Sequence, residues 1–504
     1  VTSTSAPTSG PITVEGVPSD VMPGGTWIED WRPEEPAFWD NGGSKVARRN
    51  LVWSIFSEHL GFSVWLLWSV SAALLVKVGF DFTTSQLFLL VAVPNLVGAL
   101  IRLPYTFAVP KFGGRNWTIV SASLLLVPTL LFAHFVQRPE TPYWVFVLIA
   151  ATAGLGGGNF ASSMSNINFF YPTARKGTAL GLNAAGGNLG VAIIQFFLPI
   201  VVGGAGAFGL VKAAESGLVL QRAGYLYAAL AIVGAGCAWF FMNNLTMARS
   251  RPQLGVLWHR HTWVMSVLYV GTFGSFIGYS AAMPLLIKLN FWVPTTDGTG
   301  AGIDFAHYAF LGALVGSVAR PFGGWLADKY GGARVTAASF VAMILGTLAV
   351  LWTLSQLAPN PTASVAIARE NQQWFPWFLG FFLFIFAATG VGNGSTYRMI
   401  PLIWRKRAVD GTAPGTPERA AALVGSTKES SAVIGIAGAV GAIGGFLIPM
   451  TFGAPWVDDP AAAVRGAFVA FTSFYGVCLL VTWFFYLRTS LLVGRVPSLA
   501  GAGI

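Results

Sequence analysis

The stretch Gly98–Gly114, GALIRLPYTFAVPKFGG, returns 218 positions later as Gly316–Gly332, GSVARPFGGWLADKYGG. In both copies a glycine stands four residues before an arginine, and a Gly-Gly pair begins eleven residues after it. Arg102 and Arg320 are therefore one position in two like halves of the chain. A guanidinium at membrane depth costs at least about 2.5–3.5 kcal/mol and is normally kept for function. A matched pair predicts two halves that face one another and hold an anion between them. Pairing of each arginine with a helix end or a lipid headgroup is the plainer alternative, and the repetition argues against it.

That the surroundings are a bilayer follows from composition. The 504 residues are 54% hydrophobic and 10% charged, against about 25% charged in soluble proteins. Stretches of about 20 apolar residues, enough to span, begin near Leu51, Gln86, Trp117, Tyr143, Thr178 and Ala223. Six more begin near Thr262, Phe305, Val335, Trp374, Ala421 and Gly466. The expected fold is an all-α membrane protein of about twelve transmembrane helices in two pseudo-symmetric six-helix halves. Its expected parts are an arm (1–50), a first half (51–245), a linker (246–261), a second half (262–488) and a tail (489–504). The first fifty residues are polar and rich in Pro and Gly, so no cleavable signal is expected there. Within them Trp31–Trp39, WRPEEPAFW, is expected to cap the bundle or lie along the membrane surface.

Basic residues concentrate in the arm and in alternate loops, as Lys111/Arg115, Arg175/Lys176, Arg249/Arg251/Arg260, Lys329/Arg334 and Arg405/Lys406/Arg407. That asymmetry predicts both termini on the cytoplasmic side of the cell membrane. It also accounts for the net charge of +10 without a nucleic-acid partner. Cys237 and Cys478 lie in apolar spans and have neither disulfide nor metal-ligand spacing. No metal or cofactor is expected. The five histidines are scattered with no nucleophile and base beside them, so an enzyme is not expected. The glycine runs lie inside spans with no strand before them, which argues against a dinucleotide site.

Depth follows from a rise of 1.5 Å per residue. Arg320 precedes Asp328 by eight residues and Arg102 precedes Lys111 by nine, placing them roughly 12 and 13 Å inside the boundary. In a hydrocarbon core about 30 Å thick, both come close to the middle. Tyr269 lies at similar depth, with Phe273 one turn further on, and Asn183 and Asn188 join them from the fifth span. The fourth span (GLGGGNFASSM, 154–164) aligns with the tenth (GVGNGSTY, 390–397) as a second repeat pair. Gly186, Gly187 and Gly190 in the fifth span, and Gly438, Gly441 and Gly444 in the eleventh, keep small residues where helices approach closely. Tight packing explains any one of them; as gating positions they would also let the halves slide. Glu58 and His59, roughly 13 Å into the first span, and Lys428 and Glu429, about as deep in the eleventh, are candidate coupling residues. Alternatively Glu58 or Glu429 pairs with Lys428, Arg398 or a site arginine.

Two resemblances follow. Gly323-Gly324-x-x-x-Asp328 and the basic residues after it resemble the loop motif of the major facilitator superfamily, whose site lies near the midplane between its halves. The first-half copy has Pro110 at that aspartate's place, so one latch of two is complete. More specifically, the paired arginines, GLGGGNFASSM, TFGSFIGYSA at Thr272–Ala281, ALGLNAAGGNLG at Ala179–Gly190 and VIGIAGAVGAIGGF at Val433–Phe446 resemble the nitrate/nitrite porter (NarK-like) family of that superfamily. The resemblance implies that Arg102 and Arg320 bind the anion, that Tyr269 assists and that Phe160 and Phe273 sandwich it. Asn183 and Asn188 match the signature-helix asparagines.

The implied function is transport of nitrate and nitrite by alternating access, with nitrate:nitrite exchange ahead of proton-coupled nitrate symport. A drug antiporter or an anion sensor is a remoter alternative. The expected partners are nitrate, nitrite and the lipid bilayer, with a monomer as the expected state. The chemistry fits, because a planar guanidinium donates two parallel bonds to the edge of a flat oxyanion, as a lysine does not.

Overall fold

The computed structural model describes residues 27–204, 217–248, 253–293, 295, 300–358, 364–410, 412–489, 499 and 504. In lipid every backbone polar group must find its partner within the protein, and a helix does this by itself. The apolar stretches accordingly form helices. Those of the first half are α1 (Pro36–Val78), α2 (Thr84–Phe112), α3 (Gly114–Phe135), α4 (Tyr143–Phe170), α5 (Thr173–Val201) and α6 (Gln221–Phe241). The second half has α7 (Arg260–Phe291), α8 (Phe310–Tyr330), α9 (Gly332–Ser355), α10 (Val365–Asp410), α11 (Pro417–Phe452) and α12 (Pro460–Leu487).

Eleven of these are long and apolar enough to cross a membrane by length and composition. The exception, α8, is 21 residues long and carries Arg320 together with four glycines, which makes it less apolar than the rest. The first helix begins earlier than the expected Leu51. Its regular part starts at Ser44, after a bend at Gly42, whose φ of +133° suits glycine. The first 26 residues of the arm, the linker basics Arg249 and Arg251 and most of the tail lie outside the described residues.

The halves meet mainly along two helix pairs, α2 with α11 and α5 with α8, and also where α4 meets α11 and α1 meets α7. Helices α3 with α6, and α9 with α12, pack together on the outer flanks. These four bury less than half of their apolar windows, which leaves them suited to lipid. The repeated glycine explains how the inner helices come so close. A Cβ at Gly157 of α4 would approach Gly98 Cα of α2 to 2.9 Å, and one at Gly390 of α10 would collide with the Gly316 carbonyl of α8. The glycine four residues before each arginine is thus the point where two backbones touch.

At one end of the bundle, called here the arm end, Trp31–Trp39 packs as a cap. Trp31 Nε1 donates to the Phe169 carbonyl at 3.1 Å, and Trp31, Phe38 and Trp39 are all buried. The Glu34 carboxylate accepts from Thr173 N and Oγ1, both at 2.8 Å, at the first turn of α5. A carboxylate there also satisfies the positive end of the helix. Residues Trp27–Ile28 pair in parallel with Asn244–Leu245 beyond α6. The latch residue Asp328 forms an ion pair with Arg398 of α10. In the first half, where Pro110 replaces that aspartate, Arg115 instead donates Nε and Nη2 to the Trp239 carbonyl near the end of α6, at 3.0 and 2.7 Å.

Backbone contact between α7 and α11 gives a stability test. A Cβ at Gly444 would meet Gly274 Cα at 2.7 Å, whereas one at Gly438 would meet only side-chain atoms of Phe160 and Arg102 at 3.4–3.6 Å. Gly444→Val is expected to cost about 1–3 kcal/mol through overpacking and to melt earlier in detergent. Gly438→Ala should melt near wild type. Equal melting of Gly444→Val and wild type in scanning fluorimetry would contradict this packing.

Candidate anion site

Arg102 reaches from α2 into the centre with its guanidinium fully buried. Nε donates to the Gly157 carbonyl of α4 and Nη1 to the Gly438 carbonyl of α11, each at 2.8 Å. The second bond crosses from one half to the other. Nη2 has no protein partner. Aromatic rings enclose the group, with Cζ 4.7 Å from the Phe160 centroid, 4.9 Å from Phe273 and 5.0 Å from Trp65. Such rings present their negative faces to a cation.

Arg320 on α8 is equally buried but held differently. Its Nη2 donates to the Tyr269 hydroxyl at 3.1 Å, within its own half, and its Nη1 has no partner. Its Cζ lies 5.4 Å from the Phe160 centroid and 5.3 Å from that of Tyr397. Phe160 is therefore shared by both guanidiniums. Tyr269 ends the α-helical part of α7, and Phe273 lies in the π-helical turn Val270–Gly274 that follows. Such turns are frequent at functional sites. Here the turn stacks Tyr269 on Phe273 at 5.1 Å and 12°.

The resemblance implied phenylalanines on either side of a flat anion. In the structure Phe160 and Phe273 face each other directly, 5.6 Å between centroids and 21° from parallel. A flat ion between two ring faces needs about 7 Å, two van der Waals contacts. The stack must therefore part, or slide, before an anion can lie within it.

Glu58 of α1 is the only buried Asp or Glu among the described residues. Its Oε2 accepts from Ser163 Oγ of α4 and from Asn183 Nδ2 of α5, the latter at 2.7 Å, while Oε1 has no partner. Arg320 and Arg102 act on it electrostatically, yet it forms no ion pair with them or with any other described cation. Arg398, one of the partners the sequence offered, is engaged by Asp328. Asn183 thus serves the carboxyl group, and among the described residues it makes no hydrogen bond to either arginine. Asn188 is fully buried with neither amide atom partnered.

The remaining expected positions divide. His59 turns Nδ1 towards the Gly186 carbonyl at 3.2 Å, facing α5. Lys428 and Glu429 do not reach the arginines' level. Both are half-buried, and Glu429 acts electrostatically on His259, just before α7 at the arm end. The sequence count placed them too deep because α11 begins at Pro417 and its first turns extend out of the apolar core. Among the glycines, Gly186 abuts Ile55, Gly187 abuts Glu58, Gly190 the His59 carbonyl, Gly441 the Tyr269 ring and Gly444 the Gly274 backbone. Gly438 faces the arginine and supplies its acceptor. The sequence reading missed Tyr397, Trp65, Ser163 and the carbonyls of Gly157 and Gly438. Tyr397 had a signal, since the aligned glycine runs end near it and near Phe160.

The sequence pattern of the Major Facilitator Superfamily matches residues 59–425. The nitrate/nitrite transporter NarU of Escherichia coli is 39% identical over 92% of this chain and 96% of its own length. A probable nitrate/nitrite antiporter, NarK2 of Thermus thermophilus, is 36% identical over 92% of this chain and 97% of its own. Among solved structures, a bacterial homologue of the human lysosomal transporter Spinster superposes with a TM-score of 0.54 at 16% identity, covering 86% of this chain and 95% of that one. That likeness establishes the shared fold. Residues, fold and relatives agree: the chain belongs to the nitrate/nitrite porter family of the Major Facilitator Superfamily.

Proposed function

We propose that this protein carries nitrate and nitrite across the cell membrane by alternating access, exchanging one for the other, with both termini cytoplasmic. One observation supports the reading above the rest. Two buried guanidiniums from opposite halves each keep one nitrogen without a protein partner, and both stand over the ring of Phe160. A planar monovalent oxyanion accepts in its own plane from such forks. The Tyr269 hydroxyl, already bonded to Arg320, lies at the edge of the same cluster.

Exchange follows from electrostatics. Two guanidinium charges lie close together in a medium of low dielectric, where like charges repel strongly. A bound anion offsets that repulsion, so the loaded protein passes between its two orientations more readily than the empty one. Nitrate and nitrite share the accepting edge, and both are exchanged by this design. A second reading, proton-linked nitrate symport, has its own supporting observation, since Glu58 lies in the field of both arginines and pairs with neither.

Arg102→Lys and Arg320→Lys are each expected to abolish or nearly abolish nitrate transport in proteoliposomes while the protein is still made and inserted, because lysine keeps the charge and loses the planar fork. Near-normal uptake by either variant would remove that arginine from the site. Tyr269→Phe should weaken nitrate binding by about 1.5–3 kcal/mol, the usual worth of a hydrogen bond to a charged group, a loss readable by calorimetry. For the mode of transport, nitrite-loaded vesicles should take up nitrate strongly and anion-free vesicles little. Vigorous accumulation in anion-free vesicles under an inward proton gradient would replace exchange by symport.

A further inference from the structure

Glu58 is buried without a cation beside it, and its surroundings are specific. On α4 it meets Ser163, whose Oγ also lies 3.3 Å from the Phe160 carbonyl. On α5 it meets Asn183 and the open face of Gly187, where a Cβ would collide with Oε1. The charged groups acting on it are Arg320 on α8 and Arg102 on α2. The phenols of Tyr269 on α7 and Tyr397 on α10 are within the same electrostatic range. His59, its neighbour on α1, faces the Gly186 carbonyl, and Tyr227 of α6 sits by Ser63, more than a turn away along α1.

We infer that Glu58 is a proton site linked to the anion site, so that the anion and a proton on Glu58 bind cooperatively. The inference rests on the anion reading of the arginine cluster. With Glu58 ionised, the cluster of Arg102, Arg320 and Glu58 carries a formal charge of about +1, and a monovalent anion neutralises it. An ionised carboxylate within electrostatic reach of both arginines repels the arriving anion. The anion, for its part, cancels some of the positive field that keeps the carboxylate ionised. Protonation of Glu58 removes the repulsion between carboxylate and anion. Each ligand therefore favours the other, and linkage requires the effect to be reciprocal. Anion affinity rises as pH falls through the titration of Glu58, and anion binding draws a proton from solvent. The acid acts through charge and touches no anion itself, which makes it a positioning residue for charge.

The test uses the purified full-length protein in weakly buffered detergent with a pH-indicating dye, titrated with nitrate. Wild type should take up a fraction of a proton, at most about one per protein, on nitrate binding. Its nitrate Kd should be tighter near pH 5.5 than near pH 8.5, by a factor within the roughly 5–150-fold range usual for coupled sites. Glu58→Gln should take up no proton and should hold the tighter affinity at both pH values. Glu58→Met makes the same charge change if the glutamine variant does not fold. Wild-type nitrate binding with no proton uptake and one Kd at both pH values would overturn the inference, as would proton uptake that persists in Glu58→Gln. Absence of nitrate binding by wild type at either pH is a separate result, and it would overturn the anion site together with the linkage.

Discussion

A guanidinium can be kept at the centre of a membrane protein only if its donors find acceptors there, and the acceptors for Arg102 are backbone carbonyls. The carbonyls of Gly157 and Gly438 each accept from it at 2.8 Å. Carbonyls inside a helix already accept from the helix itself, and they are open to a second donor only where no side chain shields them. Glycine leaves that space. The glycine-rich fourth and eleventh helices are in this sense the counter-structure of the arginine, and the close helix contacts follow from the same residues. What reads in the sequence as a packing motif is in the folded protein also a polar cradle.

The two halves repeat in chain and in backbone contact, but their arginines are held unequally. Arg102 is fixed by main chain on two sides and has aromatic rings close over it. Arg320 is fixed by one phenol in its own half. The latches diverge in the same way, an ion pair in the second half and an arginine on a helix-end carbonyl in the first. Duplication supplied two equivalent positions, and the neighbours of each then made different use of it.

Much of this was legible in the residues. Spans, their number, the repeat and the depth of both arginines follow from hydropathy and helical rise, because a bilayer leaves the backbone few options. Tyr269, Phe160 and Phe273 lie together around the arginines, although Phe160 and Phe273 stack on each other where the resemblance implied a sandwich. Three things were not legible. Acceptors that are backbone atoms, such as the Gly438 carbonyl, leave no side chain to notice. The shut Phe160–Phe273 stack depends on a π-helical turn, and a count at 3.6 residues per turn does not foresee one. The level of Lys428 and Glu429 was misjudged because the apolar run Ala420–Gly425 reads as the start of the span, whereas the long apolar stretch begins only at Ala432 and α11 extends ahead of it.

Among the described residues, the bond from Arg102 to Gly438 is the one hydrogen bond of the site's arginines to the opposite half's main chain, and it has a consequence for genetics. Every amino acid brings a carbonyl, so a replacement at position 438 keeps the acceptor atom and can act only by crowding it; an alanine Cβ there would lie 3.4–3.6 Å from Phe160 and Arg102, and alanine scanning of α11 is blind to this tie. Only changing Arg102 removes the donor. Variants at 102 therefore lose a ligand donor and a strut between the halves in one stroke, whereas variants at 320 lose a donor and leave the halves joined. Matched substitutions at the two arginines are, for that reason, not replicate experiments.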